Sequence, residues 1–191
     1  MQNTKNIISI KVSDKILLRE LCLSDVHNIF QTIHSQRDYL GKWLPFVAFT
    51  QVEEDTRKFV QSIVNATPSK KDLVFVILYQ DVFAGLIGFR DTDHVNLKTE
   101  IGYWLSEDLQ KKGIVTEAVK AVCYYAFNGL NINRIMIRCA TGNLPSKRIP
   151  QRLDFHYEGI EREGEILNDN QFVDLEVYSL LKSDWEKSIN K

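Results

Sequence analysis

The period of apolar and polar positions changes within residues 99–129, and the rest of the chain is arranged around that change. Glu100, Gly102 and Trp104 alternate with Ile101, Tyr103 and Leu105, a two-residue rhythm that predicts a strand. From Gly113 onward Val115, Ala118, Val119, Val122, Cys123 and Ala126 recur at three and four residues, one apolar stripe along a helix that Asn128-Gly129 is suited to cap. Arg134 to Ala140 returns to strand character. Strand, helix and strand in so short a span predict a βαβ unit, its strands parallel and its crossover right-handed. A ligand in such a unit lies beyond the carboxyl ends of the strands, at Trp104 and Leu105 on one and Cys139 to Asn143 after the other.

The flanks follow from the same periodicities. Ile7 to Val12 and Ile16 to Leu21 predict a hairpin about Ser13-Asp14-Lys15. Ser24 stands where a first helix, bearing Val26, Ile29, Phe30 and Ile33, needs its cap. Thr50 and Glu53 read as a capping box for a second, bearing Phe59, Val60, Ile63 and Val64 and stopping near Thr67-Pro68. Between them Lys42-Trp43-Leu44-Pro45-Phe46 reads as an aromatic loop that Pro45 keeps from being helical. That loop suits core cover or a substrate wall, and with Tyr39 it also suits a homodimer face. Leu73 to Tyr79 is apolar enough for a strand covered on both faces, pairing with Phe83 to Arg90 across Gln80-Asp81-Val82. Asn143 caps a helix running to Leu153, in which Pro150 removes an amide and either bends the segment or leaves the Ser146 carbonyl free; a kink is expected. Phe155 to Gly159 and Phe172 to Lys182 predict two antiparallel strands around a polar loop from Glu161 to Asn170.

Composition narrows the function classes. With 191 residues, 44% of them hydrophobic, the chain buries a full core and suits one domain, residues 1–191. Twenty-four basic against 25 acidic residues leave no bulk field that would favour nucleic acid or an anionic membrane. Cys22, Cys123 and Cys139 are odd in number and far apart, which fits a reducing cytoplasm better than a disulfide framework. The opening MQNTKNIISIKV carries no long apolar run, so no targeting or anchoring segment is expected. His27, His34, His94 and His156 lack metal-ligand spacing, and no metal is expected.

The chemistry concentrates in Gln110-Lys111-Lys112-Gly113-Ile114-Val115-Thr116, where the strand gives way to the helix. First-turn amides have no intrahelical partner, the helix dipole adds partial positive charge, two lysines add more, and Gly113 lets a ligand approach the backbone. Together they make a phosphate site. The same residues also suit an ordinary connection with a solvated basic turn. Neither Gly-x-x-x-x-Gly-Lys-Ser/Thr nor Gly-x-Gly-x-x-Gly occurs, which argues against a nucleoside triphosphatase or a dinucleotide fold.

Gln110-x-x-Gly113-x-Val115 resembles the Gln/Arg-x-x-Gly-x-Gly/Ala signature of the GNAT superfamily of N-acetyltransferases, and Gly113-Ile114-Val115-Thr116-Glu117-Ala118 is similar to the variant in its ribosomal-protein N-terminal acetyltransferases. Val115 departs from the small third residue. The resemblance runs from about Leu17 to Trp185, strongest at Gln110 to Ala118 and Asn143 to Phe155, and Asp154 replaces the usual glycine of a Leu-Gly-Phe exit. It implies a mixed α/β (α+β) fold, a twisted and mostly antiparallel sheet with one central parallel pair and helices on both faces. It implies acetyl-coenzyme A as cosubstrate, its pyrophosphate on the 110–116 loop, and its pantetheine arm along a strand edge freed by a bulge near Trp104. Leu105, Asn143, Ser146 and Arg148 complete the cofactor set, with Lys147 as a further phosphate partner, although Lys147 and Arg148 suit a solvated helix face as well.

By the same resemblance, Ser146 of Asn143-x-x-Ser146 supplies a proton to the leaving thiolate, since Pro150 occupies the place where other members carry a tyrosine. Glu165 matches the family's glutamate near the acceptor amine, and Glu100 on the central strand competes with it as base. Either glutamate suits simple solvation equally, and Ser146 suits an exposed first turn. Cys139, four residues before Asn143, is a buried strand thiol by default or a partner for the coenzyme thiol on oxidation. The implied acceptor is the N-terminal amine of a ribosomal protein. A polyamine or aminoglycoside is the alternative within the enzyme class, and a coenzyme-binding sensor without turnover the alternative outside it. Substitutions at Glu100, Ser146 and Glu165 separate enzyme from sensor.

Overall fold

The computed structural model describes residues 7–67 and 72–189; Pro68, the expected stop of the second helix, and the first six residues of the opening stretch lie outside it. The strands are β1 (Ser9–Lys11), β2 (Ile16–Glu20), β3 (Val74–Tyr79), β4 (Val82–Asp93), β5 (Lys98–Leu105), β6 (Arg134–Ala140), β7 (His156–Ile166) and β8 (Phe172–Leu181). They form one sheet in the order β1-β2-β3-β4-β5-β6-β8-β7. Of the pairings among described residues only β5–β6 is parallel, as the βαβ unit requires. The helices are α1 (Val26–Ser35), α2 (Arg37–Gly41), α3 (Phe46–Phe49), α4 (Glu53–Val64), α5 (Ile114–Gly129), α6 (Leu144–Arg152) and α7 (Lys182–Ile189).

The sheet separates two cores. Phe75, Ile77 and Ile87 pack with the Ala118, Val119, Val122 stripe of α5, while Val76 and Leu86 pack with Ile29 and Ile33 of α1 and Val60 of α4. Consecutive residues of β3 are thus buried on opposite faces, which is why that strand is apolar almost throughout. Gln80 and Asp81, both in the left-handed region at φ 51° and 64°, make the tight β3–β4 turn.

Several local expectations are replaced. Ser24 does not cap α1: Asp25 does the local work, its carboxylate accepting the Cys22 amide at 2.9 Å. Thr50 does not cap α4 either. Its hydroxyl donates to the Phe46 carbonyl at 2.9 Å and closes α3, while Asp55 takes the Gln51 and Val52 amides, each at 3.0 Å. The aromatic loop is partly helical, because Pro45 sits just before α3, where its missing amide costs nothing. Gly129 belongs to the last turn of α5, and the left-handed residue that ends it is Asn131, φ 55°. The polar stretch after Gly159 continues as strand to Ile166. Asp154 does take the left-handed exit, at φ 55°.

Candidate active site

The β5–β6 ladder has three rungs, Lys98 with Arg134, Thr99 with Ile135 and Glu100 with Met136, and then the strands diverge. Beyond Glu100 the edge of β5 that faces β6 has no strand partner among the described residues. The bulge expected near Trp104 is absent: β4 and β5 pair evenly from Gly85–Leu105 to Arg90–Glu100, and the register shift falls between Arg90 and Asp93. Divergence of the parallel pair, not a bulge, opens the site.

Two clefts of about 260 and 420 Å3 meet there. Trp104, Leu105, Gln110, Lys111, Lys112, Gly113, Ile114, Val115, Thr116, Asn143, Ser146 and Arg148 all line the smaller. Glu100, Glu165 and Ser146 line the larger, with Arg90, Arg138 and an aromatic wall of Trp43, Phe46 and Phe59. Trp43, Tyr103, Trp104, Asn143 and Ser146 belong to both, so the two clefts are halves of one groove. Asn168 of the β7–β8 turn donates to the Gly41 carbonyl at 2.7 Å and ties the far wall to α2.

In the smaller half Lys111 and Gly113 are left-handed, φ 61° and 76°. A Cβ at Gly113 would meet nothing within 4 Å, so the loop backbone faces open space. The first i→i−4 bond of α5 runs from the Glu117 amide to the Gly113 carbonyl at 3.1 Å, which leaves the amides of Ile114, Val115 and Thr116 ahead of it without helical acceptors. With the Lys111, Lys112 and Arg148 cations on the same cleft, this cradle fits a pyrophosphate. Val115, partly buried, packs against the core. Lys112 is steadied by the Tyr79 ring, 5.6 Å from its ammonium, and Gln110 by a hydrogen bond with Tyr39. Lys147, by contrast, is held by Glu176 at 2.6 Å and does not line the cleft.

At the junction the Asn143 side chain accepts the Ser146 amide at 3.3 Å and starts α6. Pro150 leaves the Ser146 carbonyl without its helical donor, and the Tyr103 hydroxyl takes it at 3.2 Å while lying 3.1 Å from Ser146 Oγ. Burial pushes the Tyr103 phenol well above its ordinary range, so it stays a neutral donor.

The two carboxylates differ in kind. Glu100 is only 2% exposed, and both its oxygens are taken: Oε1 by Arg90, whose Nε is 2.7 Å away, and Oε2 by Arg138 Nε at 2.8 Å. Glu165 is half-buried beside a register shift of β7. Burial raises its pKa, the Arg90 and Arg138 charges lower it, and the Glu100 charge raises it again.

The GNAT acetyltransferase domain model matches residues 15–156. This chain belongs to the GNAT acetyltransferase family. It is 35% identical over 179 residues, 92% of this chain and 96% of the relative, to YdaF of Bacillus subtilis (strain 168), provisionally named a ribosomal N-acetyltransferase. It is 32% identical over 171 residues, 90% of this chain and 95% of the relative, to the ribosomal-protein-serine acetyltransferase of Escherichia coli (strain K12). Among solved structures it resembles RimL, a ribosomal L7/L12 α-N-protein acetyltransferase in complex with coenzyme A, there in disulfide linkage to a cysteine of that enzyme. The TM-score is 0.86 at 28% identity, covering 93% of this chain and 99% of that one. The protein is an N-acetyltransferase that uses acetyl-coenzyme A. Among the described residues no cluster suits a metal and no helix is long and apolar enough to cross a membrane.

In this GNAT acetyltransferase Cys139 lines the larger cleft, and burial first, then Glu176, pushes its thiol up to about 11. Three participants escaped the sequence reading: Tyr103, Arg90 and Arg138. Tyr103 had a signal, since a proline inside a helix frees a carbonyl that some donor must meet. The arginines had none. Glu100 meets Arg90 by strand register and Arg138 from 38 residues away.

Proposed function

We propose that this enzyme acetylates the N-terminal α-amine of a protein, a ribosomal protein in the first instance, by direct attack. The observation that carries the proposal is the continuous groove, with a phosphate cradle in one half, a carboxylate chamber in the other, and Ser146 where they meet. Acetyl-coenzyme A supplies the activated acyl group as a thioester. The residues at 110–116 with Arg148 hold its phosphates, and the free edge of β5 beside Trp104 and Leu105 aligns its arm. Glu165 accepts the proton the amine loses as the carbon–nitrogen bond forms and the carbon–sulfur bond breaks, and Ser146 passes a proton to the sulfur while regaining one from water. Tyr103, its own proton committed to the Ser146 carbonyl, lies 3.1 Å from Ser146 Oγ and holds the serine side chain at the junction. Glu100 keeps no free oxygen for the amine and acts through its arginines. An α-amine ionises near 7.7–8.0, so a substantial share is neutral at pH 7.5 and a weak base suffices.

The likeness to two ribosomal-protein acetyltransferases supports a protein acceptor in the cytoplasm, and the reading takes residues 1–191 as one catalytic domain. The test is an acceptor panel: peptides with free N-terminal serine or alanine, spermidine, and an aminoglycoside, with products located by fragmentation mass spectrometry. Acetyl on the peptide α-amine is expected. Turnover of spermidine or the aminoglycoside alone would replace the acceptor class. Ser146→Ala and Glu165→Gln should lose turnover while still binding acetyl-coenzyme A; no turnover of any amine by the parent favours the sensor.

A further inference from the structure

Charges of alternating sign cross the sheet where β5 and β6 part. Arg90 of β4 stands opposite Glu100 of β5 in register, Glu100 reaches Arg138 of β6 at 2.8 Å, and Arg138 Nη1 reaches Glu161 of β7 at 3.0 Å. The central carboxylate lies at the last rung of the parallel ladder, so the row of ion pairs begins where backbone pairing stops. Arg90, Glu100, Arg138 and Glu165 line one chamber.

We infer that Arg90, Glu100 and Arg138 act as one positioning unit for Glu165, a fixed ladder of charge across three strands that decides the pH range in which Glu165 accepts a proton. The inference rests on Glu165 being the base proposed above. Buried charges must be paired, and here Glu100 spends both oxygens holding two guanidiniums rather than meeting substrate. Strand register sets Arg90 opposite Glu100, and ion pairs to Glu100 and Glu161 hold Arg138, so the field at Glu165 is set before any acceptor arrives. Three other carboxylates of this region have partners of their own. Glu161 is paired with Arg138, Asp55 of α4 accepts two loop amides, and Asp174 of β8 accepts the Glu163 amide at 2.8 Å. Of these, Asp55 also lines the chamber.

The two signs within the ladder make the test discriminating. Arg90→Gln removes a positive charge and exposes more of the Glu100 charge, so Glu165 should titrate higher. Arg90→Lys keeps the charge and should stay close to the parent. Glu100→Gln removes a negative charge and frees both guanidiniums, so Glu165 should titrate lower. About one pH unit each way is expected, the scale on which a single neighbouring charge moves a carboxylate. Carbon-13 NMR of labelled glutamate carboxyls in the cofactor-free full chain, with Glu165→Gln to assign the resonance, reads this directly. The acid limb of kcat/KM, measured with whichever amine of the panel is turned over, should move with it. Shifts of the same sign, or none, in Arg90→Gln and Glu100→Gln would overturn the ladder and leave the base assignment standing. NMR shifts of opposite sign with an unmoved rate profile would overturn Glu165 as the base. Should Glu100→Gln fail to fold, the contrast of Arg90→Gln with Arg90→Lys reads the same sign from a half-exposed side chain.

Discussion

Replacing Tyr103 with phenylalanine tests how Ser146 is held. Pro150 has no N–H to offer the Ser146 carbonyl, and Tyr103 donates to that carbonyl at 3.2 Å across the groove. Tyr103→Phe keeps the ring and removes the donor, which should cost about 1–3 kcal/mol for a partly buried carbonyl left without a partner. In a protein of this size that is a fall in Tm of about 2–4 °C per kcal/mol. Pro150→Ala restores an amide at position 150 that can serve the same carbonyl through the helix. In that background Tyr103→Phe should cost at least about 1 kcal/mol less, because the carbonyl is no longer orphaned. Urea unfolding of the four proteins of the cycle measures the difference, and whatever Pro150→Ala costs by itself cancels. Equal costs of Tyr103→Phe in both backgrounds would refute the account. The single variant should also lower kcat while acetyl-coenzyme A still binds, since Ser146 Oγ loses its 3.1 Å partner.

Other outcomes follow from the same coordinates. Gly113→Glu puts a side chain on a left-handed residue whose Cβ faces open space and an anion where phosphate would bind, so calorimetry should show acetyl-coenzyme A binding weakened at least about a hundredfold, near 3 kcal/mol; unchanged binding would remove the phosphate loop from the site. Arg134, then Ser179, holds Glu158 down to about 2, against about 4.3 for a free glutamate, so this pair stabilises fully above about pH 4.3 and loses its contribution as pH falls toward 2. Arg134→Met should therefore be less stable than the parent at pH 7, with the gap in urea midpoint closing on acidification; a constant gap would contradict the linkage. Cys139, at about 11, carries a thiolate fraction of roughly 10⁻⁴ at pH 7, so its iodoacetamide labelling, followed by peptide mass mapping, should rise about tenfold per pH unit up to pH 10; a flat rate would mean that access, not ionisation, limits it.

How much of this was legible depends on the range of the interaction concerned. The βαβ unit, the 110–116 turn, Asn143 as cap and the left-handed Asp154 are all local, decided by residues a few positions apart, and all are where the sequence places them. The caps at Ser24 and Thr50 went astray because a capping preference is worth only about 1 kcal/mol, and Asp25 and Asp55 offer competing carboxylates nearby. β7 was cut short at Gly159 because it is an edge strand, exposed along most of its length, and a strand without a buried face has no period of two to read. The chemistry of the chamber was the least legible. Glu100 looks like a base from its place on the central strand, and only the folded sheet shows that Arg90, by register, and Arg138, from 38 residues away, have taken its oxygens. Tyr103 lies between these extremes. Its partner is 43 residues away, yet Pro150 announces an unpaired carbonyl at Ser146, and the divergence of β5 from β6 leaves Tyr103 on the groove wall to meet it. A helix that breaks its own hydrogen-bond rule beside a candidate catalytic serine therefore calls for a donor from across the groove, even though it does not say which strand supplies it.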